Sequence, residues 1–160
     1  MAQLLPPAAE YVQEFLHRSG SLAQVQLLSE TAATAQDAAK ALGVSVSQIG
    51  KSIVFGNSEK VLVVVCCGDQ KVDSQVISKL IESEAKPLRA DEIKIRTGYT
   101  IGGVSPFGLP PDVRVVVDVR LHKYFRCYVA AGHPKAVVRT SGEELVALTG
   151  ALIDSVAFNS

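Results

Sequence analysis

Seven consecutive apolar residues, VLVVVCC at positions 61–67, constrain this chain more than any other feature. A strand with one wet face alternates apolar and polar residues, whereas a run with no polar position needs packing partners on both faces. The run therefore predicts a central strand. Just ahead of it, SIVF is followed by Gly56-Asn57-Ser58-Glu59-Lys60, a turn-forming cluster between two β-branched runs, which predicts a hairpin.

Helical punctuation surrounds this pair. AAEYVQEFLHRSG follows Pro6-Pro7, places Val12, Phe15 and Leu16 at helical spacing and stops at Gly20. TAQDAAKALGV reads as a second helix with Thr34 as N-cap and Gly43 as terminator, and SVSQIGK as one further turn. SQVISKLIESEA sets Val76, Ile77, Leu80 and Ile81 on one face behind Asp73 or Ser74, and ADEIKIRTG repeats that pattern more briefly. SGEELVALTG opens on a serine or threonine cap and closes at Gly150. Further β runs are expected at VQLL, VRVVVDV, KYFRCYVAAG, KAVVRT and ALIDSVAF, with a turn at residues 131–134. Strands in mixed order with helices between them argue one α+β domain over residues 1–160, on a mixed, mostly antiparallel sheet.

Composition bounds the function. The chain has 160 residues, enough for one sizeable core, and its 16 basic and 16 acidic side chains cancel. There is no whole-molecule field to draw in a polyanion, so a nucleic-acid contact must be local and DNA is not an expected partner. The three cysteines sit among apolar residues without a C-x-x-C pair and are read as reduced core thiols. The N-terminal MAQLLPPAAEYVQEF lacks a basic n-region and a long apolar h-region, and no run approaches the roughly 20 apolar residues of a membrane span. A cytoplasmic protein with no membrane partner is expected.

Several motifs fail on inspection. SVSQIGKS comes one residue short of the phosphate loop G-x-x-x-x-G-K-[ST], but that loop needs a strand before and a helix after, the reverse of the order here. GVSPFG invites comparison with the nucleophile elbow G-x-S-x-G. Phe107 replaces its second glycine, and Pro106 has no N–H to offer an oxyanion, so Ser105 is a poor acyl-enzyme nucleophile. His17, His122 and His133 have no metal-ligand spacing, so no metal or cofactor is expected. His17 and His122 read as surface residues, His122 near a strand start, while His133 in AGHP sits in a turn that is able to project into a cleft.

Two features survive. Lys51 stands at a helix-to-strand junction, where its ammonium is expected to emerge at the edge of the sheet; the plain alternative is a snorkelling surface lysine. In TGYTIGGVSPFGLP, residues 97–110, Gly102 and Gly103 permit positive φ and leave backbone N–H groups uncovered, while Pro106 stiffens the turn. The plain alternative there is a tight strand connection.

Taken in order, AQDAAKALGVSVSQIGKSIVF, VLVVVCCGDQKVD, IKIRTGYTIGGVSPFGLP, VVVDVRL and YVAAGHPKAVVRTSGEELVALTGA make the chain resemble the YbaK and prolyl-tRNA synthetase-associated editing family, free-standing aminoacyl-tRNA deacylases. The resemblance covers nearly the whole chain. It implies a barrel-like sheet surrounded by helices and hydrolysis of the ester joining a wrong amino acid to the terminal adenosine of a tRNA. By that resemblance Lys51 is the characteristic catalytic side chain and residues 102–106 shape the aminoacyl pocket. Gly102 and Gly103 would then offer N–H groups to the oxyanion, with Val104, Ser105 and Pro106 along the pocket. Asp118 falls where relatives carry an aspartate near the pocket, and His133 where some relatives approach it. Ser52 follows Lys51 where alanine-clearing relatives often carry asparagine. The implied partners are the tRNA acceptor end and a synthetase or elongation factor that delivers it, since a neutral chain alone binds tRNA weakly. The other class of function is a non-catalytic module binding a small ligand, nucleotide or protein in the same pocket.

Overall fold

A computed structural model describes residues 4–160; residues 1–3, the start of the segment read above as lacking a signal sequence, lie outside the described residues. The run at 61–67 becomes strand β3 (Val61–Cys67), buried at every position. Its neighbours explain why. On one side it pairs antiparallel with β2 (Ile49–Gly56), and on the other parallel with β6 (Val113–Asp118). Packing then covers both faces, so neither tolerates a polar residue.

The remaining strands are β1 (Val25–Leu27), β4 (Gln70–Val72), β5 (Lys86–Pro87), β7 (Cys127–Ala130), β8 (Ala136–Thr140), β9 (Leu152–Asp154) and β10 (Ala157–Asn159). The main sheet runs β1-β8-β7-β2-β3-β6-β9, with β5 attached to part of β2, and β10-β4 forms a separate ribbon. Pairings β2–β7, β3–β6 and β6–β9 are parallel and the others antiparallel, the mixed sheet expected. The path of pairing is open, with β1 and β9 at its two ends.

Among the described residues six α-helices dress the sheet: α1 (Pro7–Arg18), α2 (Ala35–Leu42), α3 (Ser74–Ile81), α4 (Ala90–Thr97), α5 (Val119–His122) and α6 (Gly142–Thr149). Their ends follow the caps read from the sequence. Thr34 Oγ1 accepts the Asp37 N–H at 3.1 Å, Asp73 Oδ1 that of Gln75 at 3.1 Å, and Ser141 Oγ that of Glu144 at 3.0 Å. Gly43 and Gly150 end their helices at positive φ. One face of the sheet packs on α1 through Ala9, Val12 and Leu16, together with Val63, Val65, Val115, Val117 and Phe107. The opposite face buries Leu62, Val64 and Val116 against Ile77 and Ile81 of α3.

Three expectations need correction. ALIDSVAF is not one strand: it breaks between β9 and β10, because the buried Asp118 carboxylate accepts the consecutive N–H groups of Val156 and Ala157 at 2.9 and 3.1 Å and turns the chain away from β6. VRVVVDV likewise stops at Asp118, whose Oδ2 caps the short helix α5 through the Arg120 N–H at 3.0 Å. His122 therefore ends a helix, half-buried, rather than standing near a strand start.

Candidate active site around the open edge of β2

Strand β2 is paired with β3 from Gly50 to Gly56, but its other edge is only partly used. Ile49 and Gly50 pair with β7, and Phe55 and Gly56 with β5. Among the described residues, no strand pairs with residues 51–54 on that side. The Val54 carbonyl accepts the Leu88 N–H at 2.9 Å. Since backbone groups alternate along a strand, those of Ser52 project the same way as those of Val54, into the gap between β7 and β5.

A cavity of about 490 Å³ occupies this gap, within the size of small-molecule sites. A cavity over one face of a strand would touch alternate residues. This one touches all six residues from Ile49 to Val54, so it runs along the bare edge. Its walls are mostly apolar, with Ala38, Leu88, Ile93, Val104 and Val129 contributing, and the segment leading into α2 forms part of the rim. Among the described residues that line it there is no histidine, cysteine, aspartate or glutamate.

Lys51 is half-buried at the third position of β2, an inner strand, rather than at a junction on the periphery, and it is among the residues that line the cavity. Its Nζ donates to the main-chain carbonyl of Gln70. Ser52 shares the cavity, and its Oγ is buried without a hydrogen-bond partner among the described residues. An unsatisfied buried hydroxyl costs about 1–3 kcal/mol, which invites a ligand or water to complete it.

The glycine-rich loop is only partly at this cavity. Gly102, at φ +87°, and Val104 line it; Gly103, Ser105, Pro106, Asp118 and His133 do not. The Gly103 N–H is spent on the Thr100 carbonyl at 3.0 Å, while Gly102 N–H has no backbone acceptor among the described residues. Gly103 is glycine for packing: a Cβ there would lie 2.8 Å from the His133 nitrogen, and its carbonyl accepts the Gly132 N–H at 2.9 Å. Ser105 is fully buried and its Oγ accepts the Phe107 N–H at 3.2 Å, a turn role, beside the buried Pro106. Phe107 stacks on Phe15 with ring centroids 6.0 Å apart, and Tyr99 donates its hydroxyl to the Phe107 carbonyl. His133 Nδ1 accepts the Lys135 N–H at 3.1 Å, which keeps that ring within its own turn.

Residues that sequence reasoning did not single out complete the surroundings. Gln70 is buried and places Lys51, and Arg120 makes a two-pronged contact to Asp69 at 2.8 and 3.0 Å. That pairing holds the Asp69 carboxyl below its ordinary range. Ser160 donates to the Asp69 carbonyl and lines the cavity. A polar pair in GDQ beside an apolar run was the available signal, though nothing local ties it to Lys51. The cysteines are free and buried as expected; burial pushes Cys66 and Cys127 up to about 12 and Cys67 to about 11, so none is a nucleophile at neutral pH. The described residues contain no group of metal-ligating side chains and no helix long and apolar enough to cross a membrane.

Comparison with known proteins places the chain in a family. The aminoacyl-tRNA editing domain matches residues 29–148. The chain is 35% identical to the uncharacterised protein YwhH of Bacillus subtilis (strain 168) over 116 residues, 72% of this chain and 74% of that protein. It is 27% identical to the "Putative Cys-tRNA(Pro)/Cys-tRNA(Cys) deacylase EbsC" of Enterococcus faecalis (strain ATCC 700802 / V583), over 76% of this chain and 75% of that protein. The solved structure described as "Crystal structure of a putative trans-editing enzyme for prolyl tRNA synthetase" superposes with a TM-score of 0.90 at 31% identity, covering 98% of this chain and 100% of that one. Because the domain match spans well over half of the sequence, the chain belongs to the aminoacyl-tRNA editing domain family.

Proposed function

We propose that this protein is a trans-editing aminoacyl-tRNA deacylase that hydrolyses the ester of a tRNA carrying a small wrong amino acid, such as Cys, Ala, Ser or Thr, with tRNA-Pro or a related tRNA as carrier. The observation that carries this reading is the bare edge of β2, where Lys51 and Ser52 meet Gly102 in one apolar cavity. An acceptor end inserted there would place the aminoacyl group along the edge and the adenosine toward the mouth.

The chemistry follows from what the walls offer. Among the described residues the lining holds no histidine, aspartate or glutamate to take a proton from a serine or threonine, so the attacking group is water or the substrate's own side chain, assisted by the neighbouring ribose hydroxyl. Lys51 supplies a cation to a terminal phosphate or to the carbonyl oxygen as it gains charge, and the Gly102 N–H a second donor. The Ser52 carbonyl and hydroxyl are suited to the substrate's α-ammonium, since no lining carboxylate competes for it. An aminoacyl ester is already activated, so positioning and these dipoles supply the acceleration. A synthetase or elongation factor delivering the tRNA would offset the weak affinity of a chain with no net charge.

The decisive measurement incubates the protein with tRNAs mischarged with Ala, Cys, Ser, Thr and Pro and follows ester loss against buffer. Acceleration for at least one small amino acid is expected. No acceleration for any of the five would sink the deacylase reading and leave a binding module.

A further inference from the structure

Lys51 lines the cavity from a strand, but what fixes its ammonium lies at the first residue of β4. Its acceptor is the carbonyl of Gln70, a residue only 4% exposed. The Gln70 side chain is itself pinned at both ends: Oε1 accepts the Cys67 N–H at 3.0 Å, and Nε2 donates to Asp118 Oδ2 at 3.2 Å. Only one orientation of the amide satisfies both, because one partner is a donor and the other an acceptor.

Asp118, 1% exposed, receives four N–H groups, from Gln70, Arg120, Val156 and Ala157. Burying a carboxylate is costly, and the bend between β9 and β10 alone would be served by a neutral oxygen accepting the Val156 and Ala157 N–H groups. The second oxygen does two further things: it caps α5 through the Arg120 N–H and it orients Gln70. The turn ahead of β4 is held from outside by Arg120 on the Asp69 side chain and by Ser160 on the Asp69 carbonyl.

We infer that the buried Asp118–Gln70 pair is a positioning device for the Lys51 ammonium and that neither side chain touches substrate. This rests on the reading that Lys51 serves deacylation. Asp118→Asn faces the Gln70 amide with another N–H donor, and Gln70→Glu faces the Asp118 carboxylate with a second carboxylate. The double variant exchanges the two functional groups and restores a donor–acceptor match at unchanged net charge.

The test measures hydrolysis of whichever mischarged tRNA the wild type clears fastest. Each single variant is expected to lose about tenfold in kcat with KM little changed, and the double variant to recover to within about threefold of wild type. In a Lys51→Ala background, Asp118→Asn is expected to change nothing further. A wild-type rate in Asp118→Asn, an equal loss with and without Lys51, or a loss confined to KM would overturn the proposal. A readout independent of activity is the NMR signal of lysine labelled at Cε and Nζ. The Lys51 resonance should move toward that of free lysine in Asp118→Asn and return in the double variant, and a resonance unmoved in the single variant overturns the proposal. A fully active Lys51→Ala protein would remove the catalytic reading while this signal still decides the positioning. Should Asp118→Asn fail to fold, Gln70→Ala, which leaves Asp118 its three backbone partners, carries the same kinetic and NMR criteria.

Discussion

The loop at 97–110 and the strand segment at 49–54 both border the cavity, and they treat their polar groups in opposite ways. The loop looks like the ligand-binding element because of its glycines, yet it consumes its own hydrogen bonds: Gly103 on Thr100, Ser105 on Phe107, Tyr99 on Phe107 and Tyr11 on Gly108. The strand looks like plain core, yet it leaves the edge at Ser52 bare and the Ser52 hydroxyl unmatched. Unmet polar groups beside an apolar wall are where substrate binding returns most free energy, so the strand is the better place to look for chemistry. The loop's contribution is to hold Gly102 and Val104 in position.

That contrast is breakable. Phe107→Ala should cost roughly 3–5 kcal/mol of stability, read from the denaturation midpoint, because it empties a fully buried site against Phe15. Activity per folded molecule should change far less, and a stable but inactive protein would put chemistry in the loop after all. Lys51→Ala should do the reverse, lowering deacylation about 100-fold, equivalent to about 2.7 kcal/mol, with the melting temperature nearly unchanged. Lys51→Arg should recover little, since a planar guanidinium does not fit the place of a compact ammonium.

Gly132→Ala tests how the loop is anchored. At φ +93° its Cβ would come within 2.6 Å of the Ala8 carbonyl oxygen, so a loss of roughly 2–3 kcal/mol is expected, visible as a fall of several degrees in melting temperature. An unaffected melting temperature would mean that α1 and the 131–134 turn separate easily. Ser52→Ala should stabilise the free protein by about 1 kcal/mol by removing a buried hydroxyl with no partner, while slowing deacylation several-fold. If it instead destabilises, the hydroxyl has a partner in solution and is not waiting for substrate.

The smallest effect concerns the support behind the strand. All three thiols have folded-state values raised by burial above the ordinary 9.0. Their contribution is therefore complete well below pH 9 and is lost as pH rises through 9 toward the folded values, because the unfolded chain releases protons that the folded one retains. Going from pH 8 to pH 9 under reducing conditions should cost roughly 1 kcal/mol summed over the three, and replacing Cys66 by valine should remove about a third of that dependence.

Much of this was legible in the residues. The apolar run at 61–67 predicted a central strand, and it is central because β2 and β6 flank it. Thr34, Asp73 and Ser141 announced their helices, since a cap is a contact between near neighbours in sequence. The proline after Ser105 ruled out an elbow serine without any structure. What stayed hidden was set by partners far away in sequence. The break between β9 and β10 is made by a carboxylate 38 residues before Val156, and the acceptor of Lys51 lies 19 residues beyond it.

The sequence by itself determined most of the strands and helices and singled out Lys51 and the loop at 97–110 for scrutiny, because periodicity, caps and missing N–H groups are local properties. Only the tertiary structure decided that β7 and β5 stop short of each other along β2, leaving a bare edge, and that Gly103 and Ser105 face inward while Gly102 faces the cavity. Strand pairing and the fate of each backbone N–H depend on which distant segment arrives beside it, and no local pattern encodes that arrival.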